Sequence, residues 1–201
     1  MKNLKYLFVF LVLTTISNAQ ESDYFKEIEA FQEELNESYK NPEDSPLSKK
    51  DIKRFKAHNF FEINKDFRVV ADFKLIEQPI FIMMKTSTTR LSEYKEYAIV
   101  SFALNGKDQE LIVYQSTKPP SEPKYIDYLF LPFTDLTNSE ETYDVGRYLD
   151  LKIPDGDTIV LDFNKAYNPY CAYSKNYSCP IPPEENNLLV KVNAGIKKSN
   201  L

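Results

Sequence analysis

The sequence predicts a mainly β fold, an antiparallel sandwich or barrel-like single domain with an N-terminal helical arm. Beyond Phe60, short β-rich runs alternate with turn signals, and no helical periodicity separates them, which is typical of antiparallel sheets. The chain also has 14 Phe and 14 Tyr but no Trp and only 4 Gly, a composition that favours an aromatic-rich core. Without its leader the chain has about 180 residues, enough for one domain with a real core.

Residues 1–19 are predicted to be a signal peptide. Two lysines precede an apolar run from Tyr6 to Ile16, and small residues surround Ala19, the order expected of a Sec-type leader. The apolar run is about half the ~20 residues that a membrane-spanning helix needs. We therefore expect cleavage after Ala19 and a periplasmic or secreted protein. The new N-terminus would be Gln20 and not the cysteine that a lipoprotein anchor requires. We also expect that the mature chain does not span the membrane.

Residues 20–47 are predicted to form an amphipathic helix and a linker, and residues 48–201 the β-rich domain. An apolar stripe runs along the helix at three- and four-residue steps, comprising Tyr24, Ile28, Phe31, Leu35 and Tyr39. We expect this stripe to pack on its own domain, and binding of a partner protein is the alternative. Ser48 and Asp51 predict a capping box that opens a second, short helix.

The predicted strands follow one another with turn residues between them. In chain order they are Phe67–Leu75, Ile80–Met84, Ala98–Leu104, Leu111–Gln115, Tyr128–Phe133, Arg147–Ile153, Thr158–Phe163 and Leu188–Val192. The dipeptide Asn105-Gly106 predicts a tight hairpin, because both residues tolerate positive φ. Asp155-Gly156 predicts a second hairpin in the same way.

Cys171 and Cys179 are the only cysteines of the chain. In an exported protein such a pair is most simply a disulfide, and closing a loop of about nine residues would stabilise the fold by roughly 2.5 kcal/mol. A redox pair or half of a metal site is the alternative, but the spacing differs from the Cys-x-x-Cys of redox motifs. We therefore predict a structural disulfide.

The charge balance and the missing motifs exclude several classes of function. The formal net charge is −5, and loss of the leader removes two more lysines, so we expect no nucleic-acid partner. The sequence has no phosphate-binding glycine loop and no recognised metal-ligand spacing. We therefore predict no cofactor and no metal site.

Several uncommon motifs occur in one order in the second half of the chain. They are Tyr128 to Asn138, Glu141-Thr142-Tyr143, Gly146 to Asp150, Asp162 to Pro169, Cys171, Cys179-Pro180, Pro182-Pro183 with Glu185-Asn186, and Ala194-Gly195. Together they resemble the domain of unknown function 1684 family over roughly Ser48 to Ile196. The resemblance implies an exported or cell-envelope bacterial protein without an established activity.

Two positions depart from the pattern of that family. Val145 interrupts the usual glycine-rich run before Arg147, and Ser139 stands where a glycine usually follows Thr-Asn. Glycine is favoured where φ is positive or where the backbone approaches another group closely. Val145 therefore argues against a ligand that approaches this loop, and we expect Asn138 to take over the left-handed turn.

The candidate ligand-binding residues are Arg147, Asp150, Asp162, Asn164, Tyr167 and Asn168. The guanidinium of Arg147 is a planar five-donor fork that suits a carboxylate, whereas Tyr167 and the asparagines would form a wall. In an extended strand, Arg147 and Asp150 point to opposite faces. The best prediction is binding of a small polar or anionic ligand in the region from Arg147 to Asn186, and a buried Arg–Asp structural network is the alternative for Arg147.

Two other classes of function stay open at this point. Asp135, Asp150 and Asp162 could supply an acid–base pair or oxygen ligands for a cation such as calcium, and a carboxylate-based hydrolase needs no histidine. The only histidine, His58, lies outside the motif-rich half, and no Gly-x-Ser-x-Gly is present. The other alternative is a structural or envelope-assembly protein whose partner is an envelope protein.

Overall fold

The computed structural model of the chain describes residues 22–120 and 122–199. Helix α1 covers 22–40 and helix α2 covers Lys49–Ile52. The strands are β1 Arg68–Lys85, β2 Leu91–Leu104, β3 Lys107–Ser116, β4 Tyr128–Phe133, β5 Arg147–Lys152 and β6 Thr158–Asp162. The predicted signal peptide and its cleavage site lie outside the described residues. Within the described ranges, no helix is long and apolar enough to cross a membrane.

The six strands form one antiparallel, nearly closed, barrel-like sheet in the order β5-β4-β3-β2-β1-β6. This confirms the predicted mainly β fold with an N-terminal helix. Ser48 caps α2 as predicted, since its hydroxyl accepts a hydrogen bond from the Asp51 amide at 3.2 Å. The Asp51 carboxylate accepts from the Ser48 hydroxyl at 2.5 Å and, within the described residues, receives no hydrogen bond from the Ser48 amide, so half of the predicted capping box is formed. The predicted β2–β3 hairpin is confirmed as well, and Asn105 and Gly106 adopt φ of 52° and 72° in its turn.

Strand β1 joins two segments that the sequence predicted as separate strands. Its pairing with β2 is regular on either side of an irregularity between Leu75 and Ile80. Pro79 lies in that irregularity, where its lack of an amide hydrogen costs no ladder hydrogen bond. The proline therefore bends one long strand instead of ending it.

The predicted hairpin at Asp155-Gly156 is wrong. Strand β5 pairs with β4, and β6 pairs with β1, so the short connection between them joins the two opposite edges of the sheet. Gly156 does not adopt the positive φ that a two-residue hairpin turn requires. The connection brings the two edges together and gives the sheet its barrel-like shape.

The predicted last strand, Leu188–Val192, is also wrong. Leu188, Val190 and Val192 are buried in alternation, which is the pattern that predicted a strand. The backbone, however, is held largely by loop and side-chain groups, since the Val192 amide donates to Asp135 Oδ1 at 3.1 Å. This segment packs into the core as an irregular chain.

The two faces of the sheet carry different residues. The inner face holds the main core, with aliphatic and Phe side chains such as Leu129, Leu131 and Leu149. The outer face of β1 to β5 carries a second cluster rich in tyrosine, comprising Met84, Tyr114, Phe130 and Tyr148, with Ile82, Tyr94, Ile112, Tyr128 and Tyr167 packed against it. An aromatic outer face needs a cover, and α1 together with the segment after β6 provides it.

Candidate functional site

A cavity of about 470 Å³ lies on the outer face of the sheet, below α1. We call it the tyrosine cavity, and its lining residues are Phe31, Leu35, Tyr39, Tyr94, Tyr128, Phe130, Tyr148, Asp150, Lys165, Tyr167, Pro169, Tyr170, Ser178, Cys179 and Pro180. Its volume is in the range of small-molecule sites, which are mostly apolar with a few polar groups. Asp150 is the only carboxylate among these lining residues.

The floor of the tyrosine cavity is formed by side chains of β4 and β5, which alternate between the two faces of the sheet. Phe130 of β4 is directly opposite Asp150 of β5, and both point away from the core because their neighbours Leu129 and Leu149 point into it. The sequence predicted this separation for β5, where Tyr148 and Asp150 share one face and Arg147 shares the other with Leu149. Tyr167 lies beside β5, since its backbone pairs with that of Tyr148.

Helix α1 forms the roof through the stripe that the sequence predicted. Ile28 and Tyr39 are buried, whereas Phe31 and Leu35 are half-buried and line the cavity. At its start the helix is held by the Tyr24 hydroxyl, which donates to Asp162 Oδ2 at 3.1 Å. The stripe therefore packs on its own domain, as predicted.

The disulfide-bonded segment forms one wall. Cys171 and Cys179 are joined, with their Cα atoms 6.1 Å apart, which confirms the predicted disulfide. Pro180, next to it, pairs with Thr86 at the end of β1 and accepts a hydrogen bond from the Tyr148 hydroxyl. The disulfide thus fixes a wall that is anchored to the sheet at two points.

Rings at steep angles to one another surround the cavity. Tyr148 lies edge-on to Phe130 at 4.7 Å and to Tyr167 at 5.8 Å between ring centroids. Tyr94 stacks on Phe130 at 5.5 Å. Such contacts hold the rings rigidly, so that the cavity presents both faces and edges of aromatic rings.

Asp150 accepts two tyrosine hydrogen bonds on the same oxygen. The hydroxyls of Tyr128 and Tyr167 donate to Oδ1 at 2.8 and 2.6 Å, and no hydrogen bond within the described residues reaches Oδ2. Asp150 is open to water through the cavities that it borders but has protein atoms on its other sides. This surrounding protein raises the pKa of Asp150, and the hydrogen bonds from Tyr167 and Tyr128 oppose the rise.

The two tyrosines stay protonated donors at neutral pH. Burial and the neighbouring charge of Asp150 raise the pKa of both Tyr128 and Tyr167 above the ordinary value of a phenol. They therefore hold the carboxylate as donors and do not compete with it for a proton.

Arg147 does not face the tyrosine cavity. Its guanidinium is fully buried in the core, where Nη2 lies 2.8 Å from Asp135 Oδ2 and also donates to the Val192 carbonyl at 2.9 Å. Nη1 donates to the carbonyls of Ala194 and Ile196. This is the buried Arg–Asp network that the sequence offered as the alternative for Arg147, and it binds the irregular C-terminal segment to β5.

The turn before Arg147 is packed against the chain itself. Gly146 has a φ of 115°, and a Cβ on it would lie 2.6 Å from the Phe133 carbonyl oxygen and 2.8 Å from Pro182. Ser139, one of the two positions that depart from the resembled family pattern, takes the left-handed conformation with φ of 71°. The expectation that Asn138 would take that conformation is wrong, because its side chain instead caps the turn by accepting from the Asp135 amide at 2.7 Å.

Asp162 and Asn164 lie together at the end of β6. The Asn164 amide nitrogen Nδ2 donates to Asp162 Oδ1 at 2.9 Å and to the Tyr24 hydroxyl at 3.0 Å, and Asn164 Oδ1 accepts from the Asn64 amide at 2.9 Å. Both residues are buried. They tie the start of α1 and the segment before β1 to the sheet, and neither lines the tyrosine cavity.

Asn168 lies behind the cavity, in the cluster around His58. Its Nδ2 donates to the Tyr173 hydroxyl at 3.1 Å and to the Lys197 carbonyl at 3.2 Å. Tyr173 packs on Tyr39 at 5.0 Å between ring centroids. Asn168 therefore supports the roof of the cavity without lining it.

Of the six candidate residues, the structure brings Asp150 and Tyr167 together at the tyrosine cavity and places the other four elsewhere. Sequence reasoning missed Tyr94, Tyr128 and Tyr148. A signal was present for Tyr128 and Tyr148, because each alternates with the inward-facing leucines of its strand and so lies with Phe130 on the opposite face of the sheet. Among the described residues, no group of three His, Cys, Asp or Glu side chains could hold a metal ion.

Comparisons with known proteins agree with this fold. The sequence profile of a family described as a protein of unknown function (DUF1684) matches residues 53–197. The chain is similar to an uncharacterized protein of Haloarcula marismortui determined by solution NMR, with 34% identity, a TM-score of 0.69, and coverage of 89% of this chain and 96% of that chain. No curated protein matches the chain. The profile begins after α1, although α1 supplies the roof of the cavity.

Proposed function

Since the chain belongs to the DUF1684 family, whose function is unknown, we propose from the geometry alone that it binds a small molecule in the tyrosine cavity. The observation that carries this proposal is a preformed cavity of about 470 Å³ walled by rigid aromatic rings, with one carboxylate on its floor. Apolar walls with few polar groups are typical of ligand sites. The ligand would be small and would present a polar group to Asp150.

The cavity favours a polar ligand over an anionic one. Arg147, which the sequence proposed as the anchor of an anionic group, has its terminal nitrogens bound to Asp135 and to backbone carbonyls. Lys165 lines the cavity, but its Nζ lies 2.6 Å from Glu27 Oε1. An anion in the cavity would therefore meet Asp150 with no unpaired cation beside it.

We also propose that the protein works outside the cytoplasm, in the periplasm or as a secreted protein. The disulfide supports this, because such bonds persist in oxidising compartments. The predicted leader supports it independently. Mass spectrometry of the exported protein would show whether it begins at Gln20, and a protein that retains residues 1–19 would contradict the proposal.

A thermal-shift screen of the chain from residue 20 to residue 201 tests ligand binding. The compounds would cover oligosaccharides, nucleotides, peptidoglycan fragments and small amines, acids and neutral molecules. A compound at 100 times its Kd stabilises the fold by about 2.7 kcal/mol, which corresponds to several degrees in a chain of this size.

Two matched variants locate the binding site. Leu35→Trp places an indole in the cavity from α1, whereas Glu33→Trp places the same side chain on the exposed face of that helix. We expect the thermal shift to disappear in Leu35→Trp and to remain in Glu33→Trp. Phe31→Trp is a second filling variant for the case that Leu35→Trp does not fold. A shift that survives both filling variants would place the ligand elsewhere.

The hydrolase alternative finds less support in the same geometry. Asp135 is paired with Arg147, and Asp162 accepts hydrogen bonds from Tyr24 and Asn164, so each has a structural partner. Asp150 is left as the carboxylate of the cavity, and carboxylate-based glycoside hydrolysis uses two. Loss of turnover in both Asp150→Asn and Asp162→Asn, with intact folding, would support the hydrolase alternative.

A further inference from the structure

We propose that the ligand of the tyrosine cavity is an organic ammonium cation, held by aromatic ring faces and by the carboxylate of Asp150. This inference rests on the proposed binding function and adds the chemical class of the ligand. It depends on three features of the cavity, which are a negative charge without a cation of the protein beside it, the orientation of the carboxylate that carries it, and walls of electron-rich rings.

The first feature is the charge of Asp150, which has no cation of the protein beside it. No ion pair within the described residues includes Asp150, and Lys165, which lines the cavity, is bound to Glu27 at 2.6 Å. Lys152, two residues along β5, pairs with Asp127 at 3.6 Å instead. Asp150 is exposed to solvent at the cavity, so a cation can reach this unpaired charge and interact with it directly.

The second feature is the orientation of the carboxylate. The hydroxyls of Tyr128 and Tyr167 both donate to Oδ1, which fixes the group from two sides of β5. Within the described residues, Oδ2 receives no hydrogen bond. One oxygen therefore positions the carboxylate, and the other is available to a ligand.

The third feature is the aromatic enclosure. Seven aromatic side chains besides Tyr39 line the cavity, and they are Phe31, Tyr94, Tyr128, Phe130, Tyr148, Tyr167 and Tyr170. The face of such a ring carries a partial negative charge that attracts ammonium groups, and cages of several rings recognise quaternary ammonium ligands. Steep angles between neighbouring rings, such as 75° between Phe130 and Tyr148, give walls on more than one side.

The direction in which the protein shifts the pKa of Asp150 agrees with this inference. The protein around Asp150 raises the pKa of its carboxyl group above the ordinary value, which means that the protein's own groups do not fully compensate the negative charge. A neutral ligand would leave that charge uncompensated, and an anion would add a second charge of the same sign.

Three probes of nearly equal shape distinguish the classes of ligand. Choline is a quaternary ammonium cation, 3,3-dimethylbutan-1-ol is its uncharged carbon analogue, and 3,3-dimethylbutyrate is an anion of similar size. Calorimetric titration of each into the chain from residue 20 to residue 201 should give binding of choline at least about tenfold tighter than that of the alcohol. The anion 3,3-dimethylbutyrate should not bind measurably.

Asp150→Asn provides the decisive variant. Asparagine keeps an acceptor for the hydroxyls of Tyr128 and Tyr167, so the wall should stay in place while the charge is lost. We expect choline binding to weaken about tenfold or more and the weak binding of the alcohol to stay unchanged. The matched control is Asp108→Asn, which removes an exposed carboxylate on β3. This control should change neither the affinity for choline nor that for the alcohol.

The outcomes separate this inference from the proposed function. Equal binding of choline and the alcohol, or an unchanged choline affinity in Asp150→Asn, would overturn the cationic class. If choline fails while another compound binds and Leu35→Trp blocks it, the cavity is a ligand site but for a different class. If no compound binds, the proposed function fails together with this inference.

Discussion

At the scale of single residues, Arg147 shows how one side chain organises a segment without regular structure. Its guanidinium bonds Asp135 and three carbonyls between Val192 and Ile196. Each of those carbonyls would otherwise be buried without a strand partner, which is costly. The hydrogen bonds from Arg147 thus take the place of the backbone pairing that a strand would give to the C-terminal segment.

Replacing Arg147 with Ala should therefore lower the free energy of unfolding by about 3–5 kcal/mol, because Asp135 would be left buried and unpaired. Chemical denaturation measures this loss. Lys152→Ala, in the same strand but with an exposed ion pair to Asp127, should cost about 1 kcal/mol or less. A folded Arg147→Ala protein of normal stability that had lost ligand binding would restore Arg147 as a ligand anchor.

His58 is the chain's one histidine, and it is a packing residue. Its ring lies edge-on to Tyr39 at 4.3 Å and to Phe55 at 4.8 Å between ring centroids, and its Nε2 has no hydrogen-bond partner. Burial lowers the pKa of His58 to about 4. The ring is therefore neutral at physiological pH and takes no part in the tyrosine cavity.

The folded protein should lose stability as the pH falls from about 6.5 to about 4. In that range the unfolded chain binds a proton on His58 while the folded protein does not, so the free energy of unfolding rises with pH. The expected loss is up to about 3 kcal/mol. Unfolding curves of the wild type and of His58→Phe measured between pH 7 and pH 4 test this, and equal pH slopes for the two proteins would show that His58 titrates normally.

At the scale of elements, Asn186 connects two strands that barely pair. Strands β3 and β4 share one paired position, Tyr114 with Phe130. The buried side chain of Asn186 accepts from the Ile112 amide at 2.8 Å and donates to the Ile112 and Pro132 carbonyls at 2.9 and 2.7 Å. A side-chain amide thus takes the place of a missing stretch of backbone pairing.

Asn186→Leu, which keeps the branching at Cγ and the number of side-chain heavy atoms, should lower the free energy of unfolding by about 2–4 kcal/mol, because it leaves buried backbone groups of β3 and β4 unpaired. The hydrogen exchange of the Ile112 amide should also become faster. Asn187→Leu, at the exposed neighbouring position, is the control and should cost less than about 1 kcal/mol. A change of similar size at both positions would mean that the Asn186 bridge contributes little.

Local patterns predicted the elements that depend on local chemistry. Asn105-Gly106 has residues that tolerate positive φ, and the hairpin forms there. Asp155-Gly156 is a similar turn dipeptide, but its flanking strands pair with β4 and β1 at opposite edges of the sheet. The apolar residues at every second position from Leu188 to Val192 correctly predict which side chains are buried. Burial does not determine the hydrogen-bond partners of the backbone.

At the scale of the whole molecule, the candidate site depended on contacts between distant segments. The sequence indicated the disulfide segment and Asp150 with Tyr167, because unusual residues cluster there. It could not show that α1 covers the outer face of the sheet, or that Tyr128 reaches Asp150 from the neighbouring strand. The sequence predicts Arg147 as a candidate ligand anchor because its five donors follow from the residue type, whereas its burial is determined by the fold.

The tyrosine cavity joins three parts of the molecule. Its floor comes from the sheet, its roof from α1 and one wall from the disulfide-bonded segment. A ligand in it would therefore stabilise the contact between α1 and the sheet as well as its own site. This coupling is why thermal stability is a sensitive measure of occupancy.

The most direct test of the central claim is an NMR titration of the chain from residue 20 to residue 201, with isotope-labelled tyrosine rings, against the strongest binder of the thermal-shift screen. We predict that the ring signals of Tyr128, Tyr148 and Tyr167 shift in proportion to occupancy, whereas the backbone amides of 192–196, next to Arg147, do not. Shifts centred on 192–196, or no saturable binder at all, would contradict the account.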